Sequence, residues 1–188
     1  MNTPVKSALL VIDVQQSFTQ RPFWDETDMP AYRQHQLDLI AGYQARGLPV
    51  VQVFHHSQGA FDPANGFCVA LDWLPRQADA TFNKHVHNAL TESGLLAWLQ
   101  QHQITHLSIS GIRTEQCCET TARVASDLGF AVDFVSEATL TWPMQHADGS
   151  TLSAAQIKHR TELVLADRFA RVVTVAQCLA GLDAAVAA

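Results

Sequence analysis

The chain has 188 residues, of which 47% are hydrophobic, and a formal net charge of −6 at neutral pH. A chain of that length buries roughly 70% of its unfolded surface, so it is read as a single domain, 1–188, that folds without disulfides or a structural metal. Its basic residues are scattered, which excludes nucleic acid and an acidic membrane surface as main partners and leaves a small molecule as the default; no apolar run approaches the roughly 18–20 residues of a membrane span.

Residues 8–14 form a continuous apolar run interrupted only by Asp13 near its end. Such runs read as parallel strands buried on both faces. The stretch before it, Met1 to Ser7, has one lysine and no apolar segment of signal length, so a cytoplasmic setting is expected. A helix is predicted over about 31–46, stopped by Gly47 and Pro49. Val50–His55 reads as the second strand. Residues 56–79 carry Gly59, Pro63, Gly66 and Pro75; they are long for a loop and form a lid candidate. A short strand is predicted near 81–86 and a helix over about 92–102, with Leu95, Leu96 and Leu99 on one side. The third main strand, 106–110, is closed by Gly111. The helix after it, about 115–128, stops at Gly129 and takes Thr114 as its N-cap. Then follow a strand over 131–136, an irregular segment over 139–149, a helix over about 153–167 and a last strand over 171–175. A short helix and a frayed tail at 184–188 close the chain.

Strands alternating with helices predict an α/β fold: a doubly wound, mainly parallel sheet with helices on both faces. In such sheets ligands sit beyond the carboxyl ends of the strands. Asp13, the pair His55 and His56, and the segment 111–117 each follow a strand end and are expected to converge.

The chemistry-bearing candidates follow from that placement. Cys117 falls in the first turn of a helix, where free amides and the dipole favour a thiolate and can hold an oxyanion. A buried structural cysteine is the competing reading for Cys117. Its neighbour Cys118 shares a stripe with Ala122, Ala125 and Leu128 and should face the core. Asp13, at the end of an apolar strand, is a candidate general base or a turn aspartate. Lys84, one of three lysines, lies in a mixed stretch where a buried ammonium would want a carboxylate or thiolate beside it; otherwise it is a surface lysine. His55 and His56 should point to opposite sides of their strand, while His85 and His87 could share one. No acid completes a metal site among them, so none is expected, though any of these histidines could reach Cys117. The four cysteines show no C-x-x-C spacing and are expected as free thiols. Phosphate-cradling glycine loops and the G-x-S-x-G elbow are missing, and no cofactor is implied.

Three separated pieces resemble the isochorismatase-like cysteine hydrolase family. They are Leu10-Val11-Ile12-Asp13-Val14-Gln15; Lys84 followed by Asn88-Ala89-Leu90; and Gly111-Ile112-Arg113-Thr114-Glu115-Gln116-Cys117 running into Thr120-Thr121-Ala122-Arg123 and Gly129-Phe130. The likeness runs in order over nearly the whole chain. It implies a doubly wound α/β fold, an Asp-Lys-Cys triad on Asp13, Lys84 and Cys117, and a non-proline cis peptide at Ile112–Arg113 that aims amides at an oxyanion. It further implies a homo-oligomer, dimer or tetramer, and cleavage of a C–N bond in a small amide or carbamoyl compound through a thioester. Two other readings stand beside it: vinyl ether hydrolysis that uses Asp13 without covalent catalysis, and a non-catalytic binding protein on the same fold. Two departures from the pattern matter. The acid of the Asp-x-His metal motif is missing in Phe54-His55-His56-Ser57, and Arg113 stands where a small apolar residue is frequent. Arg113 could receive a substrate carboxylate or pair with Glu115. Phe18, Trp24, Phe61 and Trp142 are candidate pocket walls, or else core.

Overall fold

A computed structural model describes residues 6–187. The readings of Met1 to Val5 and of Ala188 lie outside the described residues. Six strands form one sheet: β1 (Ser7–Ile12), β2 (Val50–His55), β3 (Ala80–Lys84), β4 (His106–Ile112), β5 (Ala131–Leu140) and β8 (Arg171–Val173). Their order is β3-β2-β1-β4-β5-β8, and every pairing is parallel. A two-residue hairpin of β6 (Met144–Gln145) and β7 (Thr151–Leu152) stands apart.

The alternation within β1 shows how the layers arise. Leu9 and Val11 pack with residues of α1 (Met29–Ala45) and α5 (Val175–Ala187), among them Leu39, Tyr43, Cys178 and Leu182. Ala8, Leu10 and Ile12 pack with residues of α2 (Leu95–Gln101), α3 (Glu119–Asp127) and α4 (Ala154–Leu165), among them Leu99, Ala122, Ala125 and Leu165. Successive side chains on a strand face opposite ways. An uninterrupted apolar strand therefore needs a helical layer on each side, and it has both. This is the doubly wound architecture expected from the sequence. Among the described residues no helix is long and apolar enough to cross a membrane.

Boundaries differ from the sequence reading for local reasons. α2 starts later than expected because Gly94 takes a left-handed conformation, φ 85°, just before it. β5 runs on to Leu140 because Thr139 and Leu140 pair with Gly111 and Ile112 beyond a register shift. The segment read as irregular thus holds the end of β5 and the first strand of the small hairpin. Thr174 ends β8 early: its hydroxyl accepts from the Gln177 amide while the Gln177 side chain accepts from the Thr174 amide, a reciprocal cap that opens α5. α5 then continues through the segment read as a tail.

The chain order reverses direction across the sheet between β1 and β4. From β1 it winds outward through β2 and β3, and from β4 outward through β5 and β8. A crevice opens beyond the carboxyl ends of the strands at such a point.

Candidate active site

Four strand ends supply the residues around that crevice. Asp13 follows β1 directly and adopts φ 52°, a left-handed conformation that aspartate tolerates better than most residues. The turn is tied to β2. The Asp13 amide donates to the Val53 carbonyl at 2.8 Å. The buried Gln15 side chain accepts from the His55 amide at 2.7 Å and donates to its carbonyl at 2.9 Å. Lys84 is the last residue of β3, in register with His55.

Gly111 carries the approach of β4. Its φ is 125°, and a Cβ there would lie 2.0 Å from the Ile12 carbonyl oxygen. Only glycine lets the two backbones pass this closely. Immediately after it the Ile112–Arg113 peptide is cis. A π-helical turn, residues Thr114–Cys118, leads into α3. Thr114 is not its cap: Arg113 holds the cap position, and the Thr114 hydroxyl instead donates to Thr139 on β5 at 2.8 Å. The turn closes wide because the amides of Gln116 and Cys118 both donate to the Arg113 carbonyl, at 3.2 Å each.

The three residues singled out from the sequence meet. Lys84 Nζ lies 2.8 Å from Asp13 Oδ2 and 3.3 Å from Cys117 Sγ. It also lies 3.1 Å from His55 Nδ1. Asp13 and Lys84 are both 0% exposed, and Cys117 is 6% exposed. Asp13 Oδ1 is buried with no hydrogen-bond partner among the described residues. Cys118 is fully buried in the apolar core on the far side of the turn.

Burial sets the charges here. It raises the Asp13 carboxyl above its ordinary range, against the pull of Lys84. Burial alone would lower Lys84, yet Asp13 and Cys117 hold it above the ordinary lysine value. Burial and then Asp13 push the Cys117 thiol well up, with Lys84 opposing. These directions favour a protonated thiol beside a hydrogen-bonded Asp13–Lys84 pair. Its carboxylate is a stronger base than one in water. His55 is held down to about 4, first by burial and then by Lys84, so it is neutral and can accept from the ammonium.

The sulfur opens onto a cavity of about 410 Å³, lined on its apolar side by Phe18, Phe23 and Phe61 and on its polar side by Arg21, Gln58, His87, Arg113 and Gln116. Phe61 belongs to the segment read as a lid, within a single helical turn, Gly59–Phe61. Trp24 and Trp142, two candidate wall residues, do not line this cavity. Trp142 is buried behind Phe18 and Phe23, with ring centroids at 6.0 and 5.3 Å, and its indole N–H donates to the Asp25 carbonyl at 2.9 Å. Trp24 packs on Trp142 and borders a separate surface groove of about 600 Å³ with Met29, Arg33 and Trp73. The spacing of aromatic residues in the sequence held no signal of which ring stood in front.

Arg113 both lines the cavity and is paired. Its Nε is 3.0 Å from Glu115 Oε1, and its guanidinium donates to Thr141 Oγ1 at 3.3 Å and to the Trp142 carbonyl at 3.2 Å. Neither Glu115 oxygen makes a directed hydrogen bond, so that pair is a Coulombic contact. Phe23, Arg21, Gln58 and Gln116 were not singled out as cavity residues, since nothing in their local sequence distinguishes them; of the histidines that could reach Cys117, His87 and His55 line the cavity. His56 turns away from His55, toward His85, as expected for neighbours on a strand. His85 and His87 diverge because the strand ends at Lys84: His85 joins Glu92, and His87 stands over Cys117. Among the described residues no cluster of three or more His, Cys, Asp or Glu side chains could hold a metal ion. All four cysteines are free.

Residues 7–177 match the Isochorismatase domain family. The uncharacterised isochorismatase-family protein YrdC of Bacillus subtilis is 27% identical over 178 residues, covering 93% of this chain and 95% of that protein. A streptothricin hydrolase of Streptomyces noursei is 31% identical over 169 residues, covering 85% of this chain and 59% of that enzyme. Among solved structures, an isochorismatase from Pseudomonas putida superposes with a TM-score of 0.83 at 26% identity, covering 94% of this chain and 93% of that one.

Proposed function

The chain belongs to the isochorismatase family of hydrolases, and from that premise we propose that it is a cysteine-dependent hydrolase of small amides or carbamoyl compounds. Cys117 is the nucleophile, Asp13 its base and Lys84 the electrostatic partner of both. One observation carries this reading: an ammonium 2.8 Å from a carboxylate and 3.3 Å from a sulfur, all buried, at the floor of a cavity of small-molecule size.

The chemistry follows from the charges. Asp13 takes the thiol proton as Cys117 Sγ bonds to the substrate carbonyl carbon, and Lys84 offsets the negative charge that shifts onto sulfur. The oxyanion is held by amides at the start of the turn, those of Arg113 and Cys117. The Gln116 and Cys118 amides are already committed to the Arg113 carbonyl. As the C–N bond breaks, Asp13 returns the proton to the departing nitrogen and leaves a thioester on Cys117. Water then cleaves the thioester.

A screen for ammonia release over small amides, with the Cys117→Ala variant as control, tests the proposal. We expect Cys117→Ala to lose at least about 10³-fold in turnover. Vinyl ether hydrolysis without covalent catalysis needs Asp13 and not the sulfur. Activity that survives Cys117→Ala and disappears in Asp13→Asn would replace the present reading with that one.

A further inference from the structure

Cleavage of the thioester needs a group that activates the attacking water. Asp13 reaches the acyl carbon, since it serves the departing nitrogen, but it is shut off from the solvent that must supply the water. It is fully buried, with Oδ2 engaged by Lys84.

The cavity wall holds six groups with titratable side chains: Asp13, Arg21, His55, His87, Arg113 and Cys117. Guanidiniums do not exchange protons near neutral pH. His55 Nδ1 already receives Lys84, and burial with that cation makes it a weak base. His87 remains. Its Nδ1 lies 3.7 Å from Cys117 Sγ, and its ring is exposed to solvent. It stacks parallel to His55, with centroids 6.0 Å apart and planes 9° apart.

The backbone beside His87 is fixed relative to the nucleophile. The Ala89 amide donates to Thr121 Oγ1 at 3.1 Å, and Thr121 sits one helical turn beyond Cys117. Asn88 braces the same turn through the Leu90 amide and Thr91. A solvent-facing imidazole is thereby held over the sulfur by the helix that carries that sulfur.

We propose that His87 is a second catalytic residue, the acid–base group for thioester hydrolysis, while Asp13 serves the acylation step. A water oxygen bonds to the acyl carbon as one of its protons passes to the His87 ring. The carbon–sulfur bond breaks, and its electron pair stays on sulfur beside the Lys84 ammonium. His87 then gives the proton to sulfur, restoring the thiol, and the acid product leaves. The step needs no reactant besides water.

This inference rests on the cysteine-hydrolase reading, and one experiment separates the two. The probe is p-nitrophenyl acetate, whose nitrophenolate burst reports acylation and whose steady rate reports deacylation. His87→Phe keeps a ring against His55, and His87→Ala leaves room for added imidazole; circular dichroism checks the fold of both. The parent should show a burst equal to enzyme concentration, with acetyl on Cys117 by peptide mass mapping. In both variants the burst should persist while the steady rate falls about 10- to 100-fold. Imidazole should restore much of the rate in His87→Ala and none in His87→Phe. A steady rate within two-fold of the parent in His87→Phe overturns the assignment, and so does a loss in His87→Ala that imidazole leaves unchanged. No burst and no acetyl-Cys117 in the parent would sink the cysteine-hydrolase reading itself.

Discussion

Replacing Lys84 with methionine removes the ammonium and keeps most of the side-chain volume. In the parent protein its side chain is 0% exposed and that of Asp13 is 1% exposed. The substitution therefore strands a carboxylate in a dry site, with Oδ1 already unpartnered and Oδ2 losing its only cation. Breaking a buried pair from one side costs about 3–5 kcal/mol, whereas removing both charges is often close to neutral. We expect Lys84→Met to lose about 3–5 kcal/mol in urea unfolding at pH 8, followed by tryptophan fluorescence, and Lys84→Met/Asp13→Asn to recover most of it. The pH dependence has a definite sign. The stranded carboxyl is raised above its unfolded value, so its neutral form is favoured in the folded state. The variant's deficit is then smallest at low pH and grows as pH rises through the raised value. A deficit under about 1 kcal/mol, equal at pH 5 and pH 8, would refute the burial of these charges as a pair.

Two further outcomes follow from the same geometry. Gly111→Ala drives a Cβ to 2.0 Å from the Ile12 carbonyl oxygen at φ 125°; thermal unfolding should show a loss of about 3 kcal/mol or more, far beyond an ordinary glycine-to-alanine change. The acid limb of kcat/KM should lie above the ordinary aspartate value of 3.8, because burial raises Asp13 and only its ionised form accepts the thiol proton. Activity is then lost as pH falls through that raised value, and a limb at or below 3.8 in a pH–rate profile would count against Asp13 as the base.

Much of the fold was readable because β1 is apolar without alternation and β1, β3 and β4 are each followed by a helix of the layers. Gly47 and Gly129 mark helix ends that stand as expected. The errors fell where tertiary pairing overrides local signals. Nothing local in residues 137–140 announces a strand; pairing with Gly111 and Ile112 makes them one. Thr114 looked like a cap because threonine before a helix usually is, but a π-helical turn moved the cap to Arg113 and freed the hydroxyl for Thr139. The site was legible at Asp13, Lys84 and Cys117 because strand ends in a parallel sheet share one edge. The cavity wall was less legible. Trp142 stands behind Phe18 and Phe23, and His87 is exposed over the sulfur, through packing between segments far apart in sequence.

The most direct test is peptide mapping by mass spectrometry after acid quenching the enzyme during turnover of a p-nitrophenyl ester. A mass increase of one acyl group on the peptide carrying Cys117, unaffected by alkylating Cys68 beforehand and lost in Cys117→Ser, is the predicted result. Steady product release with no adduct, or an adduct that maps to Cys68, Cys118 or Cys178, would contradict the assignment of Cys117 as the nucleophile.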